Sequence, residues 1–193
     1  MADVWAAWRK AHKLDNITES AWYDFIERVA ETLDIGPGTR VFEVGCGSGA
    51  FLRPFAENGY EVGGLERSAE LVALARQAMP TGSWTVGEPS DLDPGPPWDV
   101  VTTFGLFDSF PDLNYARGVL ARMAAKATHA IAVLDVLDVD DDAKRPEPSG
   151  LRFDRSWMLH ELAEIGASAV QIEDQRIEGD ERPGQRFNVV VRM

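Results

Sequence analysis

Cysteine is nearly absent. Cys46 stands alone, so no disulfide can form within the chain, which fits a reducing, cytoplasmic setting. No apolar run approaches the roughly 18 residues that a membrane-spanning helix needs. The N-terminus, MADVWAAWRKAHKLD, has no basic stretch leading into an apolar core, so no secretory signal is expected. Basic residues are scarce, with 19 Lys and Arg against 32 Asp and Glu and a net charge of −13. Nucleic acids and anionic membrane surfaces call for clustered Lys and Arg. The densest cluster here, WRKAHK at 8–13, is short. Neither is expected as a partner, and a small molecule is. Internal repeats are absent too, which argues against a solenoid.

What is present is enough for a core: 193 residues, 45% hydrophobic, with six Trp and nine Phe. Residues 3–14 read as a short helix with Trp5, Trp8 and His12 on one side. Residues 20–34 read as a second, with a stripe from Trp22 through Phe25, Ile26 and Val29 to Leu33. Thr18 or Ser20 can cap it, and GPGT at 36–39 stops it. Apolar runs then alternate with helical ones. Strands are predicted at 40–45, 60–66, 83–88, 98–105 and 129–137, and helices at 50–59, 69–79 and 113–126. That alternation predicts an α/β, Rossmann-like fold, a parallel sheet with helices on both faces. After a polar loop at 138–150 come a helix at 156–166 and strands at 168–177 and 186–193. EGDERPGQ joins these two strands and is short enough for an antiparallel hairpin. The expected organisation is one domain: a helical cap at 1–35, βα units at 36–137, and a closing helix and hairpin at 151–193.

The stretch FEVGCGSGAF, residues 42–51, places Gly45, Gly47 and Gly49 between a strand and a helix. Such a turn lets backbone N–H groups approach a ligand, at the switch point of a doubly wound sheet. Two ligand classes compete. Gly45, Gly47 and Ala50 satisfy G-x-G-x-x-G/A, the dinucleotide form. Glu43, Gly45, Gly47 and Gly49 satisfy E-x-G-x-G-x-G. Glu43 tips the balance, because a carboxylate repels a pyrophosphate but favours a ligand carrying sulfonium and ammonium groups.

With these residues the sequence resembles the class I S-adenosylmethionine-dependent methyltransferases of the small bacterial, small-molecule type. The resemblance covers residues 36–137 and, in topology, the last hairpin. It implies S-adenosylmethionine as cofactor, S-adenosylhomocysteine as product, no metal, and a seven-stranded sheet of order 3-2-1-4-5-7-6 with strand 7 antiparallel. VFEVGCGSG is similar to the family's first motif, which implies that Glu43, Gly45, Cys46, Gly47 and Gly49 surround the cofactor. Cys46 reads as a small residue fitting the turn. VGGLERS resembles the second motif and implies that Glu66, with Arg67 beside it, binds the ribose hydroxyls. VGEPSDL resembles the third, where Asp91 accepts from the adenine amino group and Leu92 lines the ring; Glu88 or Asp93 can take the place of Asp91. In WDVVTTFGLFDSF, Phe104 is implied to line the methionine and acceptor side.

The acceptor side is less determined. Trp5, Trp8, His12, Lys13 and Tyr23 lie where that family folds a helix over the cofactor. Trp8 is expected to shield the sulfonium with its aromatic face, the alternative being that these rings only pack the helix on the sheet. Asp108 is the first candidate for a general base, with His12 and Asp135 behind it. His160 is expected on a polar helix face with Trp157, Glu161 and Glu164, His129 reads as structural, and DVDDD at 138–142 reads as a solvated loop. The tail resembles those of small bacterial methyltransferases in sugar, polysaccharide and natural-product pathways, through Phe153, Asp154, Asp174 and Gln175. O- or N-methylation of a small molecule by a monomer or homodimer is the expectation. One rival is an NAD(P)-binding oxidoreductase, although no Tyr stands four residues before a Lys. The other is a relative that binds the cofactor without transferring methyl.

Overall fold

Seven strands form one sheet in the order β3-β2-β1-β4-β5-β7-β6, as expected. In this computed structural model the described residues are 4–12, 14–139, 150–182 and 185–193, without the side chains of Val4, Ala7, Ala11 and His12. The strands are β1 (Arg40–Val44), β2 (Glu61–Glu66), β3 (Ser83–Val86), β4 (Trp98–Phe104), β5 (Ala127–Leu137), β6 (Ala169–Asp174) and β7 (Arg186–Arg192). The first five pair in parallel, whereas β7 runs antiparallel between β5 and β6. The order reverses between β1 and β4, so the crevice at their carboxyl ends is the switch point.

Helices α1 (Val4–His12), α2 (Glu19–Thr32), α3 (Arg53–Glu57) and α4 (Ala69–Ala78) precede β4, while α5 (Leu113–Lys126) and α6 (Arg155–Glu164) follow it. Strand alternation sends side chains to two cores. Val41, Val100, Phe104 and Leu134 join the core holding Trp8, Trp22 and Phe51. Phe42, Val101, Ile131 and Val133 join the one holding Leu120, Met158 and Leu162. Thr18 caps α2, its side chain accepting from the Ala21 N–H at 3.1 Å. The stripe Trp22, Phe25, Ile26 and Val29 is buried, which anchors α2 on the sheet.

Three local expectations change. Helix α3 is five residues long rather than ten. The glycine turn continues through Ala50 and Phe51, and the Ala50 carbonyl accepts from the Trp22 indole at 3.1 Å, so those residues serve the turn. Glu161 is buried and not on a polar face, because both its oxygens take the Arg117 guanidinium at 2.7 Å, tying α6 to α5; His160 and Glu164 are exposed. Asp138 is buried too, bonded to Arg155 at 2.8 Å, while 140–142 of the DVDDD run lie outside the described residues.

Candidate active site

A cavity of about 590 Å³ opens at the switch point, within the range of small-molecule sites. Four strand tips supply its floor. Gly45, Gly47 and Ser48 come from the turn after β1, Glu66, Arg67 and Ser68 from the end of β2, Gly87–Ser90 from the loop after β3, and Phe104–Leu106 from β4. Trp8 of α1 reaches in from above.

The glycine turn is built around one open position. Gly47 has φ +52, and a Cβ there would meet nothing within 4 Å, so its backbone lies open. Gly45 and Gly49 instead sit tightly against Leu106 and Met79. The Gly45 N–H donates to the Leu65 carbonyl at 2.7 Å, joining the turn to β2. Glu66 completes that joint. One carboxylate oxygen accepts from the Gly47 N–H at 3.2 Å and the other from the Ser68 N–H at 2.8 Å. A carboxylate has about four acceptor positions, so half of them stay available to a ligand. Ser68 in turn caps α4 by accepting from the Leu71 N–H at 3.3 Å.

The slot between the β2 tip and the β4 loop is apolar, walled by Leu65, Leu71, Leu106 and Pro89. At its edge the Ser90 N–H donates to the Tyr115 hydroxyl at 3.2 Å, which pins the loop after β3 to the first turn of α5. At the other end Trp8 packs against Trp22, ring centroids 4.1 Å apart, and against Phe104 at 5.6 Å. These rings hold α1 onto the sheet, and two of them, Trp8 and Phe104, also line the cavity.

Of the residues singled out in the sequence, the cavity brings together Trp8, Gly45, Gly47, Glu66, Arg67 and Phe104. Others lie off its wall. Glu43 is fully buried within β1 with one oxygen lacking a hydrogen-bond partner, and burial, with the Glu66 charge second, pushes its carboxyl well above the usual range. Cys46 is buried, and burial raises its thiol well above its ordinary value, which leaves it no nucleophilic character. Asp91 is exposed, and its carboxylate accepts from the Glu88 N–H at 3.0 Å; the acid on the wall at this corner is Glu88. Leu92 is buried behind the loop. The His12 side chain and all of Lys13 lie outside the described residues.

Asp108, the first-choice base, also lies off the cavity wall: it stands in the short turn after β4, next to the wall residue Ser109, with its carboxylate 3.8 Å from Arg186. Burial raises its pKa, against the lowering pull of Arg186. Arg186 also approaches Asp135, at 3.4 Å. Asp135, the second-choice base, is instead committed to structure. It has φ +62 where the β5–β7 pairing slips, and its carboxylate takes Arg182 through two bonds of 2.8 Å and Gln175 at 2.6 Å. Asp154 caps α6, Phe153 is buried, and Asp174 pairs with Arg155. Sequence reasoning missed Ser68, Leu71, Ser90, Leu106 and Tyr115. Ser68 and Leu71 lie just past Glu66 and could have been found from it, whereas nothing local places the first turn of α5 beside the β3 loop.

Glu43 carries a testable consequence. A carboxyl whose pKa is raised by folding stabilises the fold most below its unfolded value, near 4.3, and less as pH climbs through its folded value. Glu43→Gln does not titrate. Its melting temperature relative to the parent therefore rises from pH 4 to pH 9 in thermal melts, whereas a flat difference means that Glu43 is charged in the fold.

Comparison with known proteins agrees with this geometry. The chain is 27% identical over 166 residues to the ubiquinone biosynthesis O-methyltransferase of Bradyrhizobium sp. (strain ORS 278), covering 82% of this chain and 56% of that protein. The chain thus spans about half the length of that curated relative. Among solved structures, the magnesium protoporphyrin IX methyltransferase ChlM of Synechocystis PCC 6803, with bound SAM, superposes with a TM-score of 0.70 at 17% identity, covering 100% of this chain and 84% of that one. CalS10, an amino pentose methyltransferase of Micromonospora echinaspora involved in calicheamicin biosynthesis, gives 0.68 at 21% identity, covering 96% of each chain. At those identities the likeness is one of fold. The profile of a family described as "Methyltransferase domain" matches residues 11–164. Because that match runs from α1 to the end of α6, the chain belongs to the methyltransferase-domain family, of the class I kind its motifs resemble.

Proposed function

We propose that the protein transfers the methyl group of S-adenosylmethionine to an oxygen or nitrogen of a small-molecule acceptor, in the cytoplasm. The observation that carries this reading is the pairing of an open Gly47 backbone with the Glu66 carboxylate across the mouth of the turn. The residues fit the cofactor part by part. Glu66 has acceptor positions left for a ribose diol, the slot of Leu65, Leu71 and Leu106 suits a flat base, and the turn at Gly45 and Gly47 leaves room for a chain to lie against backbone.

When bound, the cofactor supplies an electrophilic methyl on a sulfonium that departs as a neutral thioether. The chain's own work is then alignment and exclusion of water. Trp8 and Phe104 close the cavity's aromatic end with faces that attract a cation. Asp108 is the proposed base. It adjoins Ser109 of the cavity wall, and burial raises its pKa, the direction a general base needs.

A small acceptor is supported by the net charge of −13 and by the likeness to a ubiquinone biosynthesis O-methyltransferase and an amino pentose methyltransferase. The test is incubation with S-adenosylmethionine and a panel of phenols, sugars and amines, read by mass spectrometry. The expected result is S-adenosylhomocysteine formed together with one product heavier by a methylene. Cofactor binding without turnover of any member, under conditions where a control methyltransferase turns over, sinks the small-molecule reading.

A further inference from the structure

A chain of contacts leads from the tip of β5 to the helix over the cavity, through the connection between β6 and β7. Arg182 grips Asp135 with two bonds of 2.8 Å and Asp180 with two more at 2.8 and 2.9 Å. Both side chains of the Arg182–Asp135 pair are nearly excluded from solvent, at 10% and 1% exposure. This fixes the connection onto the sheet. From there it presses on the turn between α1 and α2. Ile177 is buried in the same core as Trp5, Trp8, Leu14 and Ile17. Gly179 has φ +84, and a Cβ there would lie 2.8 Å from the Asn16 carbonyl oxygen. The Asn16 amide donates to the Glu181 carboxylate at 2.6 Å, and Arg28 of α2 donates to the Arg176 carbonyl at 2.9 Å.

Helix α1 needs such support. Nine residues make a helix that is marginal on its own, so its position depends on tertiary contacts. We propose that residues 175–182 form a clasp that positions α1, and through it Trp8, over the cavity, with Gly179 and Glu181 as the contact and Arg182 as the anchor. These are positioning residues, since none of them lines the cavity. The proposal rests on the cofactor reading only for its effect on ligand binding.

The test is hydrogen exchange across residues 4–12 of the full chain, without ligand, followed by calorimetric titration with S-adenosylhomocysteine. In Gly179→Ala the added methyl has no room and the turn must shift. Exchange in α1 is expected to quicken about tenfold while that of β1 and β4 stays fixed, and affinity to fall about tenfold. Glu181 is exposed, so Glu181→Ala leaves the fold intact and is expected to act more weakly, about threefold. Glu181→Gln, whose amide oxygen still accepts from Asn16, restores the parent values. A purely structural role for the connection predicts uniform acceleration across the sheet and no recovery with glutamine, and overturns the proposal. Unchanged α1 exchange in both Gly179→Ala and Glu181→Ala overturns it as well. If Gly179→Ala does not fold, the Glu181 pair decides alone. A protein that ignores S-adenosylhomocysteine but quickens α1 exchange in Glu181→Ala overturns the cofactor reading and leaves the clasp standing.

Discussion

Replacing Glu66 with alanine lowers the affinity for S-adenosylhomocysteine by about a hundredfold or more, with a much smaller change in melting temperature. This carboxylate accepts from two backbone N–H groups, of Gly47 and Ser68, at 3.2 and 2.8 Å. Hydrogen bonds to a charged group contribute about 1.5–3 kcal/mol each, and a tenfold change in affinity is about 1.4 kcal/mol. Alanine releases the glycine turn from the tip of β2 and removes the acceptor for the ribose diol in one step. The fold suffers less, because the freed Gly47 N–H faces an open cavity where water replaces the lost partner. Glu66→Gln keeps oxygen but loses charge, and is expected to fall about tenfold. Calorimetric titration of the three proteins checks the series. Parent-like affinity in the alanine variant means that the ligand lies elsewhere than on the β2 tip.

Arg182→Met costs about 3 kcal/mol of stability, because breaking a buried pair removes both short bonds of Arg182 to Asp135 and leaves that buried carboxylate only the longer contact with Arg186 at 3.4 Å. In a chain of this size that is a drop of roughly 6–12 °C in melting temperature. The loss is pH-dependent. Burial pushes the Asp180 carboxyl up, but the bonds from Arg182 outweigh it and hold the carboxyl below the usual range. A group whose pKa folding lowers contributes stability above its unfolded value, and that contribution fades as pH falls through the folded value. The gap between parent and variant is therefore widest at neutral pH and narrows on acidification below about pH 4. Thermal melts from pH 3 to pH 7 measure this. The double variant Asp135→Asn, Arg182→Met is expected to recover part of the loss, since the most deeply buried carboxylate is gone while Asp180 alone loses its partner. A single variant as stable as the parent contradicts the account of this cluster.

The fold was legible because its signals are local. Each strand reads as a short apolar run, each helix as a stripe, and the order of the sheet follows from the resemblance carried by FEVGCGSGAF and the residues after it. The departures share a cause, which is that tertiary partners claimed residues whose local pattern pointed elsewhere. Ala50 reads as helical but gives its carbonyl to Trp22. Glu161 reads as exposed but is drawn inside by Arg117, forty-four residues away.

At the site, the strand-tip residues Gly45, Gly47, Glu66, Arg67 and Phe104 were legible because a strand end fixes where its next residues go. Asp91 was not. Its loop holds several acids within a few residues, and a hydrogen bond to the Glu88 N–H turns this one away from the wall. Tyr115 and the clasp at 175–182 were invisible for a different reason, since each matters through a contact between segments far apart in sequence. Asp135 looked like a candidate base at a strand tip, and only the distant Arg182 and Gln175 show that its carboxylate is taken.

The function proposed for this chain depends on the cavity holding S-adenosylmethionine. Isothermal calorimetry of the purified protein with S-adenosylhomocysteine, S-adenosylmethionine and NAD, each repeated with Glu66→Ala, tests it most directly. Dissociation constants on the order of micromolar are expected for the first two, lost in the variant, with no heat from NAD. Binding of NAD alone contradicts this, and moves the glycine turn and Glu66 to a dinucleotide.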